Sequence, residues 1–175
     1  MNVYLIGYMA SGKTTIGRLL AKKMEIPFYD LDEQIEKQQG KSVSDIFAKE
    51  GEEHFRKLES ETLRSVSSSA NSIVSCGGGT FCKVENREWI KNQGISVYLE
   101  VTLENIFVRL SNNATTRPII LANNQSETAL KEFLTIHLGK RKADYEQADI
   151  IFDANGKKDD IVRELATYFW RFLKS

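Results

Sequence analysis

"VYLIGYMASGKTT" (Val3 to Thr15) begins with an apolar run and then sets two glycines with four residues between them ahead of Lys and Thr. The apolar run reads as a buried strand and Thr14–Met24 as a helix, with Ile16, Leu19, Leu20 and Met24 on one face. Gly7 lets the chain turn sharply off the strand, and Gly12 lets the backbone approach a phosphate closely. Successive N–H groups then point inward, and the helix presents its positive end to the anion. Lys13 reaches the β- and γ-phosphates of a nucleotide, and Thr14 offers a hydroxyl to Mg2+. A strand before the loop and a helix after it are the context this motif requires. The stretch predicts nucleoside triphosphate binding; the alternative is an accidental glycine-rich turn.

The rest of the chain repeats the alternation. "IPFYD", "SIVSC", "ISVYLEV" and "ADIIFD" read as further strands. Between them lie helical patterns: "SVSDIFAKEG" closed by Gly51, "GEEHFRKLESETLRSV" with Phe55, Leu58, Leu63 and Val66 inward, a segment around Arg87–Asn92, "LENIFVRL", Glu127–Gln147, and Lys158–Leu173. Strands alternating with helices predict an α/β fold, a parallel sheet covered on both faces. No internal repeat or linker divides the 175 residues, which suits one domain.

Composition removes several function classes. Lys plus Arg and Asp plus Glu number 24 each, so no basic excess argues for nucleic acid and no polybasic stretch for an anionic membrane surface. The N-terminal stretch has no basic region, and its apolar run is too short for a signal peptide. No apolar stretch approaches the roughly 20 residues of a spanning helix. Cys76 and Cys82, spaced C-x5-C, fit neither a zinc site nor a redox pair; reduced thiols and a cytoplasmic location are expected. His54 and His137 match no metal or triad pattern.

A regulatory GTPase would carry an Asn-Lys-x-Asp guanine reader, and none occurs; "DANG" at 153–156 follows the last strand, out of order for a switch. A nucleic-acid motor would end a strand beside the loop in acids, where "SIVSCGGG" has none. A small-molecule kinase remains, and its second substrate needs acids and arginines near the phosphate loop. "FYDLDEQIE" places Asp30 and Asp32 at the end of the second strand, where parallel-sheet enzymes bind ligands. Asp30 suits the Mg2+ shell through water. Asp32 suits acceptance of a hydroxyl proton, or else caps the next helix. Arg56 sits beside inward Phe55, with Glu52 and Glu59 spaced to flank it. Gly77, Gly78 and Gly79 form a strand end without side chains, against which a flat substrate can lie. Arg141, in "GKRKADY", follows a helical run. Each arginine taken alone also reads as a surface charge.

"GYMASGKTTIGRLLAKKM", "FYDLDEQIE", "DIFAKEGEEHFRKLE", "SCGGGT", "VYLEV", "TRPII" and "KRKADYEQAD" together resemble the shikimate kinase family in order and spacing over nearly the whole chain. The resemblance implies a P-loop NTPase fold of the nucleoside monophosphate kinase type. It has a five-stranded parallel sheet of order 2-3-1-4-5, flanked by helices, in a single kinase domain over 1–175 with a mobile lid at about 111–126. It also implies a monomer that phosphorylates the shikimate 3-hydroxyl from ATP with Mg2+, on the route to chorismate and aromatic amino acids. By the same resemblance Lys13 and the backbone of Ala10, Ser11, Gly12, Thr14 and Thr15 hold ATP. Thr14 ligates Mg2+, and Asp30 and Ser75 contact its waters. Asp32 orients the shikimate hydroxyls, Arg56 and Arg141 clamp its carboxylate, and Gly77–Gly79, Gly78 especially, line the ring. Arg117, in the lid, reaches the transferring phosphate.

Two features depart from the family pattern. Ala10 stands where Gly or Pro-Gly is common, and its small size predicts no loss. The adenine-stacking arginine is read as Arg109, with a register uncertain by one residue, which leaves open whether "DANGK" closes the adenine pocket. A small-polyol kinase such as gluconate kinase and a silent nucleotide-binding regulatory domain are the rival readings. Arg56 and Arg141 argue against the first; Lys13, Thr14, Asp32 and Arg117 together argue against the second.

Overall fold

The first strand, β1 (Asn2–Ile6), is buried at every position because it lies mid-sheet, paired with β3 (Ile73–Ser75) on one side and β4 (Gly94–Glu100) on the other. A strand covered on both faces has no solvent side, which is why its sequence runs apolar instead of alternating. β2 (Phe28–Asp30) pairs with β3, and β5 (Ile150–Asp153) pairs with β4. All pairings are parallel, in the order 2-3-1-4-5. The structure, a computed structural model, describes residues 2–68, 71–112 and 127–173.

Helix α1 (Lys13–Met24) turns Ile16, Gly17, Leu20 and Ala21 into the core. Gly17 permits close packing on β2: a Cβ there would lie 2.6 Å from the Phe28 ring. α2 (Leu31–Gln39) appears in the sequence only through the capping alternative for Asp32, since Leu31 and Ile35 are its sole buried positions. Asp30, not Asp32, caps it, accepting from the Asp32 and Glu33 amides, and left-handed Gly40 ends it. α3 (Val43–Val66) is one helical run broken at Gly51 (φ 86°, ψ 169°), where two helices were expected to meet. Then come a 3-10 turn (Thr80–Cys82), α4 (Val84–Gln93), α5 (Leu103–Ser111), α6 (Glu127–Tyr145) and α7 (Lys158–Leu173). α7 packs against α1.

Two apolar clusters position the site. The larger packs the central strands against α1, Leu31 of α2, Leu63 and Val66 of α3, and α4–α7. The smaller joins Ile35 of α2 with Ile46 and Phe55 of α3, bracing those helices beside the sheet. The carboxyl ends of β1, β2 and β3 therefore lead, side by side, into the phosphate loop, the start of α2 and the glycine triplet. Among the described residues no helix is long and apolar enough to cross a membrane, and Cys76 and Cys82 are free thiols.

Candidate active site

The loop between β1 and α1 holds three left-handed residues: Gly7 (φ 142°), Ala10 (φ 58°) and Gly12 (φ 99°). Ala10 carries a side chain in that conformation. A Cβ in the left-handed region costs on the order of 1 kcal/mol wherever it has space. Lys13 Nζ donates to the carbonyls of Gly7 (2.9 Å) and Tyr8 (2.8 Å), which draws its charge across the loop mouth. Ser11 is buried beneath the loop, so it offers backbone and not a lining side chain.

One cavity of about 550 Å3 opens over this loop. Its walls bring together Ala10 and Gly12–Thr15, Asp30 and Asp32, Ser75, Gly77, Gly78 and Arg109, while Gly156 and Lys158 of the segment after β5 close one side. Arg109 donates to the carbonyls of Ala10 (3.1 Å), Ser11 (3.2 Å) and Ala154 (3.0 Å), pinning α5 to both loops. Its neighbours cannot take that place: Val108 points outward (53% exposed) and Leu110 is core. Arg117 and most of the expected lid lie outside the described residues.

At the cavity floor Thr14 Oγ1 donates to Asp30 Oδ2 at 2.6 Å, and Asp30 lies beside Ser75 in the strand register. A hydroxyl, one carboxylate and a second hydroxyl are hard oxygen donors. No group of three His, Cys, Asp or Glu residues able to hold a metal occurs among the described residues. That set suits Mg2+ shared with phosphates and waters, and not a metal held by protein alone. Asp32 stands one residue into α2, facing Gly77. Burial in the cleft, aided by the like charges of Asp30, Glu59 and Glu36 and opposed by Lys13, pushes its carboxyl up to about 6.

The glycine triplet has a steric reason at Gly77 and at Gly79. A Cβ on Gly77 would fall 2.4 Å from Glu59 Oε1, and one on Gly79 would fall 2.6 Å from the Arg56 guanidinium. One on Gly78 would face Arg141 Nη1 at 3.5 Å. Arg56 and Arg141 thus approach the same loop from α3 and α6, although neither they nor Gly79 is among the residues that line the cavity. Arg56 is no solvated surface arginine. It pairs with Glu52 (3.1 Å) and with buried Glu59 (2.9 Å), and it lies against the Phe55 and Phe47 rings. Glu59 also accepts from Thr80 Oγ1 at 2.6 Å.

A sequence model described as "Shikimate kinase" matches residues 9–173. The chain belongs to the shikimate kinase family. A curated shikimate kinase of Aquifex aeolicus is 36% identical over 165 residues, covering 94% of each chain. A solved shikimate kinase of Bacteroides thetaiotaomicron superposes with a TM-score of 0.91 at 34% identity, covering 97% of this chain and 98% of that one. One from Acinetobacter baumannii, solved in complex with shikimate, superposes at 0.83 with 33% identity, covering 98% of this chain and 92% of that one. A gluconokinase of Sinorhizobium meliloti, at 17% identity and a TM-score of 0.58, shares the fold alone.

Family membership accounts for the sheet order and the loop. The residues that reading the sequence left out are supporting ones. Glu59 was seen only as a flank of Arg56, though it braces that arginine and Thr80 together; its i+3 spacing was the available signal. Tyr145, whose hydroxyl donates to the Gly78 carbonyl, gave no local signal.

Proposed function

We propose that this chain transfers the γ-phosphoryl group of ATP to the 3-hydroxyl of shikimate, giving shikimate 3-phosphate and ADP. The observation that carries the reading is the convergence of Arg56 and Arg141 on one side-chain-free loop, beside Asp32 and the phosphate loop. A flat ring acid suits that geometry: its carboxylate meets two guanidinium groups, its face lies along Gly77–Gly79, and its hydroxyls reach Asp32.

In this proposal the hydroxyl oxygen attacks the γ-phosphorus, the bond to the β-phosphate oxygen breaks, and the hydroxyl proton passes to Asp32. A carboxylate near 6 is mostly ionised at neutral pH, yet is a stronger base than an ordinary aspartate. Loop amides from Ala10 to Thr15 and Lys13 hold the phosphates, and Arg109 lines the nucleotide end. Arg117 is assigned to the transferring phosphoryl by family resemblance alone. Thr14, with Asp30 and Ser75 through water, would hold a Mg2+ that neutralises charge on the β- and γ-phosphates. We propose one kinase domain, cytoplasmic and monomeric.

The test is ADP release from MgATP with shikimate, with gluconate and with no acceptor. Turnover confined to shikimate is expected. Equal turnover with gluconate would overturn the assignment.

A further inference from the structure

The function proposed above leaves unused one polar contact between the phosphate loop and α6. The Tyr8 hydroxyl and His137 Nδ1 lie 2.6 Å apart, linking residues 129 positions apart in sequence. Tyr8 is wholly buried, the two rings meet edge to face at 5.5 Å, and Phe133 stacks on His137 at 5.1 Å. Burial pushes the Tyr8 phenol up to about 12, so it keeps its proton. Burial, with the charges of Arg141 and Lys140 and against the pull of Glu52, lowers His137 below its ordinary value. Both groups are therefore neutral, and phenol and imidazole share one hydrogen bond whose direction is set by the His137 tautomer.

His137, Arg141 and Tyr145 follow at i, i+4 and i+8, so they share one face of α6. His137 is tied to Tyr8, and Tyr145 donates to the Gly78 carbonyl. Arg141 sits between these two ties. The backbone of Tyr8 is engaged as well, since its carbonyl accepts from Lys13 Nζ at 2.8 Å. One residue thus holds Lys13 with its main chain and α6 with its side chain.

We propose that Tyr8 and His137 form a positioning pair that seats α6 on the phosphate loop and so places Arg141 for the acceptor carboxylate. The inference rests on the shikimate kinase reading. Neither residue lines the cavity; the pair sets the distance between the group that grips phosphate and the group that grips the acid. Its loss removes the polar tie of α6 to the phosphate loop while the core packing of Leu130 and Leu134 and the Tyr145 tie remain, so the helix face carrying Arg141 loses its register on the loop and the acceptor binds less well.

The test is steady-state kinetics of full-length Tyr8→Phe, His137→Leu, His137→Asn and the Tyr8→Phe/His137→Leu double variant, with each substrate varied in turn. Tyr8→Phe keeps the ring packing and removes only the hydroxyl. Its shikimate KM should rise about 2- to 10-fold, the effect of one intramolecular hydrogen bond, with a smaller change in ATP KM and in kcat. His137→Leu should do the same from the other side, and the double variant should add little further. His137→Asn keeps a side-chain amide near the Nδ1 position, able to donate or to accept, and should recover part of the loss. A wild type that turns over no shikimate defeats the function and this inference together. A wild type that does, beside folded Tyr8→Phe and His137→Leu variants with unchanged shikimate KM and only a lowered Tm, defeats this inference alone and leaves the pair as packing.

Discussion

Arg56→Ala separates binding from stability, because the arginine has two kinds of partner. Toward the acceptor it supplies a charge-assisted contact. Such contacts contribute about 1.5–3 kcal/mol, so kcat/KM for shikimate should fall about 10- to 150-fold while ATP affinity holds. Toward the protein it neutralises Glu59, whose side chain is only 1% exposed. Removing one member of a fully buried pair costs about 3–5 kcal/mol. Here the Arg56 side chain is 24% exposed, so water reaches the vacated position, and about 1–3 kcal/mol is the better figure. For a chain of this length that lowers Tm by roughly 3–10 °C. Arg56→Ala/Glu59→Gln removes the orphaned charge and keeps a partner for Thr80, so it should regain most of the Tm and none of the shikimate affinity. The assays are thermal unfolding without ligand and kinetics at fixed saturating MgATP. Wild-type shikimate KM in Arg56→Ala would refute the clamp. An unrestored Tm in the double variant would refute the role given to Glu59.

Asp32→Asn should lower kcat about 10²- to 10⁴-fold, the range for loss of a general base, with a smaller loss of shikimate binding. In the wild type kcat/KM should fall as pH drops through about 6, where Asp32 takes up a proton. Because its folded pKa lies above the ordinary value, ionisation destabilises the fold: stability is lost as pH rises through about 6. The slow variant should therefore melt higher than wild type at pH 7 to 8, with the difference closing near pH 4; an equal or lower Tm at neutral pH would contradict this. Gly79→Ala should raise shikimate KM and lower Tm in the same direction as Arg56→Ala, since its Cβ pushes the Arg56 guanidinium that pairs with Glu59; titration with shikimate and with ATP, beside thermal unfolding, checks both.

Features set by near neighbours in the chain could be read directly. The strand and helix periods, the glycine conformations of the phosphate loop, the break at Gly51 and the i−4 and i+3 partners of Arg56 all depend on residues within one or two turns. α2 was visible only in outline because two apolar residues in nine give a weak period, although Asp30 and Gly40 carried its end signals. Shikimate kinase membership followed from motifs whose order and spacing survive without any structure.

Which side chains the arginines meet was another matter. Arg56 and Arg141 look like many surface arginines until the sheet order sets α3 and α6 on either side of one glycine loop. The same holds for Arg109 on the phosphate loop, for Glu59 under Thr80, and for Tyr8 against His137. Sequence by itself determined the chemistry of the loop, the alternation of elements and the family. Tertiary structure alone decided which distant side chains meet, because a contact across 129 residues depends on how all the intervening elements pack and leaves no period or spacing in the chain.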